Sequence, residues 1–397
     1  MASHTEATSL ASNAFDFHPR TRLIFGIDAV ARVGELAVEL GAKRILLVTD
    51  PGIVSAGHAA RVIGLLERQQ LKVVCFDQVE ENPSTQCVER CVEVARLLSI
   101  DTIVGLGGGS SMDTAKGCNF ILSNGGQMKD YWGIGKAKLP MLPLIAIPTT
   151  GGTGSECQSF ALITDEKTHQ KMACGDPKAA ARIAILDPAL TLSQPPHVTA
   201  CSGIDAIAHA VETAVTKRRT ALSFIFSREA FRLTIAGLPR VLNSPADLEA
   251  RGSMLLGAAL AGTAIENSML GAAHSAANPL TAHFGTAHGR AVGLMLPHII
   301  RFNASAADAA QAYRELALSA GICTASDSGV SASEKLAVHL EELLDLAKLP
   351  RSLKDCGAHN GDLIRLAEEA CAQWTLQFNP RPVTSADFRR IYAQALT

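Results

Sequence analysis

Asp205 and His209 stand four residues apart in Ser-Gly-Ile-Asp-Ala-Ile-Ala-His-Ala-Val-Glu-Thr, a segment that reads as a helix. That spacing turns both side chains to one helix face, ~6 Å apart. An exposed Asp–His hydrogen bond is the commoner use of such a pair, so it says little alone. Downstream, His274, His283, His288 and His298 concentrate four of the chain's twelve histidines in a stretch of mostly small or apolar residues. Buried imidazoles require partners. One carboxylate and three imidazoles from separate segments would make a mixed oxygen and nitrogen site for divalent iron, zinc, manganese, cobalt or nickel, with a position left for a substrate oxygen.

A second kind of chemistry is written in glycines. Gly105-Leu-Gly-Gly-Gly-Ser-Ser-Met-Asp-Thr-Ala-Lys116 joins an apolar strand to the start of a helix. There the backbone can approach a ligand closely, and the unpaired N–H groups of the helix start can cradle a pyrophosphate. The loop is not a P-loop, because Ala115 precedes Lys116, and it lacks the full Rossmann fingerprint, because Ser110 holds the last glycine's place. Pro148-Thr-Thr-Gly-Gly-Thr-Gly-Ser-Glu156 follows another apolar strand and should lie at the same sheet edge. Two such loops favour a long phosphate ligand. Asp50, after Arg-Ile-Leu-Leu-Val-Thr49, can accept from a ribose 2′-hydroxyl and would repel a 2′-phosphate, which favours NAD over NADP. The alternative for Asp50 is a plain Asp-Pro-Gly turn.

The elements that carry these residues change character along the chain. Apolar strands at Arg22–Phe25, Arg44–Thr49, Lys72–Phe76 and Thr102–Leu106 alternate with helical stretches, the first from about Ala29 with Asp28 as its cap. Such alternation predicts βαβ units and a largely parallel sheet, whose ligands gather at the C-terminal strand ends. Strands continue at Leu142–Ile147, Phe160–Thr164 and Arg182–Leu186, and from about Ser193 only helical periodicity remains. The expected division is therefore an α/β domain over residues 1–190, with residues 1–15 a loose terminus, and an all-helical domain over residues 191–397. A cleft between them is the expected ligand site.

Composition narrows the partners. Of 397 residues, 47% are hydrophobic and 19% charged, with a net charge of −2, so no electrostatic footprint favours nucleic acid or an anionic membrane. Ten cysteines form no C-x-x-C pair and read as reduced thiols in a cytoplasmic protein. The start of the chain lacks an apolar signal core, and the longest apolar stretch, Met254 to Leu280, is broken by Glu266, Asn267 and His274. No membrane span is expected.

Taken jointly, Gly107-Gly-Gly-Ser-Ser-Met-Asp-Thr-Ala-Lys116, Pro148-Thr-Thr-Gly-Gly-Thr-Gly-Ser-Glu156, Asp205-x3-His209 and His274-x13-His288-Gly289 resemble the iron-containing (group III) alcohol dehydrogenases. Asn82-Pro83 and Leu296-Pro297-His298 belong to the same resemblance, which runs from about Phe17 to the last helices. It implies a dehydroquinate synthase-like fold: an N-terminal dinucleotide-binding α/β domain and a C-terminal helical metal-binding domain, with nicotinamide and metal in the cleft. By that similarity Asp205, His209, His274 and His288 hold the ion, Fe2+ foremost and Zn2+ second. Gly107, Gly108, Gly109, Ser110 and Asp113 belong to the pyrophosphate loop, and Thr149, Thr150, Thr153 and Lys171 are further cofactor contacts. The implied activity is NAD-dependent oxidation of a small neutral alcohol or reduction of the aldehyde, by a homodimer or larger homo-oligomer.

Two departures from the family pattern stand out. Many members carry a second His four residues after the third ligand, and here that position is Asn278, which cannot titrate. Many also have Phe-Ser where this chain has Ile265 and Glu266. If Gly262 to Ala277 is one helix, Glu266 shares a face with His274 about two turns, ~12 Å, away, where it either borders the substrate channel or pairs with Arg290. His283 is expected to pack, or to support a ligand, without binding metal. Alternatives are a maleylacetate reductase-like or dehydroquinate synthase-like enzyme, whose anionic substrates want nearby cations, and a non-catalytic nucleotide-binding protein in which the histidines only pack.

Overall fold

The computed structural model of the chain describes residues 14–166 and 170–397, so residues 1–13 of the expected loose terminus lie outside the described residues. The N-terminal half runs β1 (Arg22–Phe25), α1 (Val33–Glu39), β2 (Arg44–Val48), α2 (Pro51–Ser55), α3 (His58–Glu67), β3 (Lys72–Phe76), α4 (Thr85–Arg96), β4 (Thr102–Gly107) and α5 (Gly109–Asn124). It continues through β5 (Gly133–Ile134), β6 (Leu144–Pro148), β7 (Phe160–Thr164), β8 (Lys171–Gly175) and β9 (Ile183–Leu186). Six of these strands form an all-parallel sheet in the order β1-β9-β6-β4-β2-β3. The order doubles back at β4, between β2 and β6, and places the ends of those three strands side by side.

The strand pattern explains why both faces are covered. Along β2, Ile45 and Leu47 join the core under α1 and α3, whereas Leu46 and Val48 join the core under α4 and α5. Alternating side chains of one apolar strand thus fill two separate cores, as buried parallel strands require. The remaining strands make a small sheet, β5-β8-β7, with β7 and β8 antiparallel.

Asp28 does not cap the helix that follows it. It sits at φ 60° ahead of a 3-10 turn over Ala29–Arg32, and its carboxylate is taken by Arg61 at 2.9 Å. A capping side chain needs extended backbone to reach the helix N–H groups, and left-handed backbone turns it away. Asp187 performs that service from β9's end, accepting from the N–H of Asp28 at 3.1 Å and Val30 at 3.2 Å.

After β9 the chain is helical: α6 (Pro196–Thr213), α7 (Ala221–Asn243), α8 (Leu248–Ser268), α9 (Ala272–Phe284), α10 (His288–Asn303), α11 (Ala307–Ser319), α12 (Gly329–Leu346), α13 (Leu363–Cys371) and α14 (Ser385–Ala395). They enclose one large apolar core built on Ile207, Val211, Phe231, Tyr313 and Tyr392. No helix among the described residues is long and apolar enough to cross a membrane.

The expected single helix across Gly262 to Ala277 is two. Met269 adopts φ 67° and the chain restarts at Ala272, so α8 and α9 have different axes and their periodicity is not shared. Side chains from far away in sequence hold the new start. Ala272 N–H donates to Asn379 Oδ1 at 3.2 Å, and Ala273 N–H donates to Glu212 Oε1 at 2.7 Å. These bonds satisfy helix-start donors that water cannot reach.

Candidate active site

The acid and histidines meet on three helices. Asp205 and His209 lie on α6, His274 near the start of α9, and His288 at the first position of α10. Close approach of α6 and α10 depends on Gly289, where a Cβ would stand 2.0 Å from the carbonyl oxygen of Cys201. Around Asp205 Oδ1, the Nε2 atoms of His209 and His274 lie at 3.5 Å and that of His288 at 3.8 Å. Asp205, His209 and His274 are 4–5% exposed, which removes the surface hydrogen-bond reading of the first pair. His288, with 27% of its side chain exposed, is the member nearest solvent.

Several of these polar atoms have no hydrogen-bond partner although they are buried: Asp205 Oδ1, His274 Nε2, His209 Nδ1 and His288 Nδ1. Unpaired buried polar atoms are costly, and here two of them converge on the point a cation would fill. Asp205, His209 and His274 each offer a ligand atom within 4.8 Å of the others. Charge agrees with this. Asp205 and Glu212 are buried carboxylates whose ion-pair partners among the described residues are histidines alone. A divalent ion would balance the two.

Proton affinities carry the same message. Burial pushes the Asp205 carboxyl up, but His209, His274 and His288 outweigh it and hold it well below the usual carboxylate range. Burial lowers His288 to about 3 despite Asp205, so its imidazole is neutral with a free lone pair. Burial alone would lower His274 too; Glu212 and Asp205 instead raise it to about 9, marking it as a place where positive charge is stable.

Glu212 was not singled out from sequence. Its carboxylate accepts from His274 Nδ1 through Oε2 and from Ala273 N–H at 2.7 Å through Oε1. It therefore fixes the ring of His274 with Nε2 pointing toward Asp205, the carboxylate–histidine arrangement that supports metal ligands. The available signal was its place three residues after His209, on the helix face that carries Asp205 and His209.

Both glycine loops converge at one sheet edge. β4 and β6 are neighbours with Gly107 opposite Pro148, and Thr149 N–H donates to the Gly107 carbonyl at 2.9 Å. Gly107, at φ +144°, leaves no room for a side chain: a Cβ would stand 2.4 Å from Ser111 Oγ and 3.0 Å from Asp50 Oδ2. Thr150 and Thr153 pack on Gly108 and Gly109, so the second loop roofs the start of α5. Gly108, at the N-cap of α5, supplies no side-chain cap, which leaves the first N–H groups of that helix to a ligand. Asp50 caps α2 by accepting from Ile53 N–H at 3.1 Å and also accepts from Ser111 Oγ at 3.3 Å, at the edge of the same loop. Ser110 Oγ accepts from Asn82 N–H at 3.3 Å, and Lys171 Nζ donates to Asn82 Oδ1 at 3.2 Å.

Asp113 and Lys116 turn inward from α5 and tie the two loops together. Ser155 Oγ donates to Asp113 at 2.8 Å, while the fully buried Lys116 Nζ donates to Ser155 O at 2.6 Å, Ser155 Oγ at 2.8 Å and Phe160 O at 2.9 Å. Burial lowers the Lys116 pKa, against the pull of Asp113 and Glu156. Lys116→Met should destabilise the protein by about 3 kcal/mol, since each stranded buried acceptor costs about 1–3 kcal/mol. An unchanged denaturant midpoint would contradict that.

Three remaining residues lie away from the centre. His283 Nε2 pairs with Glu369 at 2.7 Å on the outer side of α9. His298 lies along α10 beside a cavity also lined by Glu341 and Arg351. Glu266 pairs with Arg20, not Arg290, and accepts from Ser159 N–H at 2.9 Å and Ser159 Oγ at 2.7 Å. Because α8 ends before His274, that carboxylate ties the helical domain to the strand side and does not border His274. Arg290 Nη2 donates to Asp355 O at 3.0 Å.

Fold and site together define a two-domain oxidoreductase in which a parallel α/β domain presents glycine loops toward a helical domain carrying an Asp/His cluster. The chain belongs to the iron-containing alcohol dehydrogenase family and is an oxidoreductase acting on CH–OH groups. Residues 19–188 match the family described as iron-containing alcohol dehydrogenase, and residues 199–396 match the C-terminal region of the Fe-containing alcohol dehydrogenase family. The NAD-dependent methanol dehydrogenase of Bacillus methanolicus is 33% identical over 94% of this chain and 97% of its own length. The choline dehydrogenase of Bacillus subtilis is 35% identical over 95% and 94%. A solved 1,3-propanediol oxidoreductase superposes with a TM-score of 0.93 at 31% identity, over 96% of this chain and all of that one.

Proposed function

We propose that the protein is an NAD-dependent, divalent-metal-dependent alcohol dehydrogenase or aldehyde reductase acting on a small neutral alcohol or aldehyde, with iron as the ion and zinc as the second candidate. The observation that carries the reading is the set of unpartnered, buried ligand atoms around Asp205 Oδ1, in a fold whose glycine loops leave helix-start N–H groups for a phosphate. The NAD-dependent methanol dehydrogenase supports the choice of dinucleotide.

In this reading Asp205, His209, His274 and His288 hold the ion, and Glu212 orients His274. Gly107 to Ser110 and the start of α5, with Asp113 and Lys116 bracing the loops from below, receive the pyrophosphate; Thr149, Thr150, Thr153 and Lys171 flank it. A bound ion supplies a Lewis-acid contact for the substrate oxygen, and the dinucleotide supplies the hydride acceptor. The chain's own part is orientation and dryness. The Phe160 and Trp374 rings stack at 5.8 Å, linking β7 to the helical domain. We divide the domains near residue 190, between the end of β9 and the start of α6. A cytoplasmic location rests on the ten free cysteines, and a homodimer or larger assembly on the exposed Leu23 and Phe25 of edge strand β1.

The deciding experiment couples metal analysis to an NADH-monitored panel of alcohols and aldehydes. One ion per chain and turnover lost on chelation are expected; undiminished turnover after the ion is stripped, or none on any substrate with it restored, defeats the reading.

Cofactor choice has its own test at Asp50. Asp50→Gly should raise the ratio of NADP to NAD activity, because the carboxylate that would repel a 2′-phosphate is gone. Glycine at the cap of α2 costs only a few tenths of a kcal/mol, so the ratio reports recognition and not unfolding. A wild-type preference for NADP, or an unmoved ratio in the variant, contradicts the assignment.

A further inference from the structure

Arg251 is a buried cation without a counter-charge. It lies in the first turn of α8 and is only 3% exposed. Its Nε donates to Pro245 O at 2.5 Å and its Nη1 to Thr191 O at 2.6 Å, so both acceptors are neutral carbonyls. The acids nearest in sequence, Asp247 and Glu249, are taken by Arg240 at 2.9 Å and 2.8 Å. Burial lowers the Arg251 pKa, and no carboxylate among the described residues opposes that shift. A buried charge without a partner is costly.

Two further features point to the same place. Arg251 lines a cavity of about 10 Å³ together with Gly151, Thr191, Gln194, Thr199 and Ser202. Thr199 is 7% exposed, yet its Oγ1 has no hydrogen-bond partner, so a buried donor lines the cavity with nothing to donate to. Thr199 and Ser202 belong to the first two turns of α6, an 18-residue helix whose N-cap, Pro195, makes no side-chain bond to it. That uncapped start carries the positive end of the helix dipole. A guanidinium, an idle hydroxyl and a helix N-terminus therefore meet at one cavity, and all three favour a negative partner.

We infer that this cavity binds one small inorganic anion of the halide class, such as chloride, and that the ion joins the two halves of the molecule. The volume suits a single water-sized particle, which excludes phosphate, sulfate and organic carboxylates. A water molecule would accept from Thr199 but leave the guanidinium charge unanswered. Thr191 and Gln194 belong to the connection between β9 and α6, Thr199 and Arg251 to the helical domain, and Gly151 to the second glycine loop. An anion held among them ties that loop to the helices behind it. The inference does not depend on the ion at Asp205 or on the substrate.

The test is the thermal midpoint at pH 7 as gluconate is exchanged for chloride or bromide at constant ionic strength and fixed metal content, so that screening stays the same. The wild type should gain about 2 °C for each tenfold rise in halide above Kd. Thr199→Val removes only the hydroxyl. It should leave the midpoint in gluconate unchanged or higher, because an unpaired buried hydroxyl is lost, and should weaken halide affinity at least about tenfold, as expected for a hydrogen bond to a charged group. Arg251→Met should abolish the halide response, and if that variant does not fold, Thr199→Val decides. Anomalous scattering from bromide-soaked crystals should place one ion between the Arg251 guanidinium and Thr199 Oγ1. A midpoint indifferent to halide, unchanged halide affinity in Thr199→Val, a bromide bound only elsewhere, or a water molecule alone in the cavity overturns the inference.

Discussion

His274→Ala is expected to leave the protein without its metal ion, while His283→Ala retains it. His274 contributes a buried Nε2 that faces Asp205 Oδ1 at 3.5 Å and has no other partner, so its loss removes a ligand atom and opens the pocket to water. Outer-shell changes already cost metal sites about 10- to 100-fold in affinity, and removal of a direct ligand should exceed that range. His283 points away and is held by Glu369 at 2.7 Å, so its truncation should be silent in metal content. Metal analysis of both variants after equal dialysis decides the matter. Full occupancy in His274→Ala, or loss in His283→Ala, would falsify the ligand assignment.

The second large effect concerns a residue that touches neither ion nor substrate. Glu212→Ala should weaken metal binding about 10- to 100-fold, because the carboxylate fixes which nitrogen of His274 carries the proton and which faces the site. It should also destabilise the metal-free protein, since the buried Ala273 N–H is left without an acceptor, at a cost of about 1–3 kcal/mol. The two effects separate experimentally. A purely structural role predicts the same stability loss with and without metal. A positioning role also shrinks the stabilisation that added metal confers, by about 1.4 kcal/mol for each tenfold loss of affinity. Glu212→Gln should be intermediate, because an amide accepts from one of the two donors and turns its own N–H groups on the other. If added metal stabilises Glu212→Ala as much as the wild type, the positioning role is wrong.

Asp205 with His209, and the two glycine loops with Asp50, were legible because each depends on short-range geometry. A four-residue spacing on a helix fixes a shared face, and a glycine-rich turn after an apolar strand fixes where the N–H groups of the next helix point. The order of the two halves was legible for the same reason: strands alternating with helices give way to helices alone after Leu186. His274 and His288 could be nominated by type, but nothing local says that α9 and α10 bring them to α6. Gly289 against the Cys201 carbonyl does that for α10, and Glu212 against the Ala273 N–H does it for α9; both are contacts between segments far apart in sequence.

Three residues depended on partners that only packing could choose. Glu266 was placed on the face of His274 by taking Gly262 to Ala277 as one helix. The backbone instead breaks at Met269, where Asn379 and Glu212 satisfy the N–H groups of a new helix, so the face argument no longer applies. Asp28 looked like a cap, yet its backbone conformation sends the carboxylate to Arg61 and leaves the capping to Asp187. Glu212 stood in plain view beside His209 with no sequence sign that its partner was His274. The sequence by itself determined the chemistry available, the class of fold and the local faces of each element. The tertiary structure decided which buried donors met which acceptors, because the cost of leaving one unpaired depends on what packing places beside it and not on its neighbours in the chain.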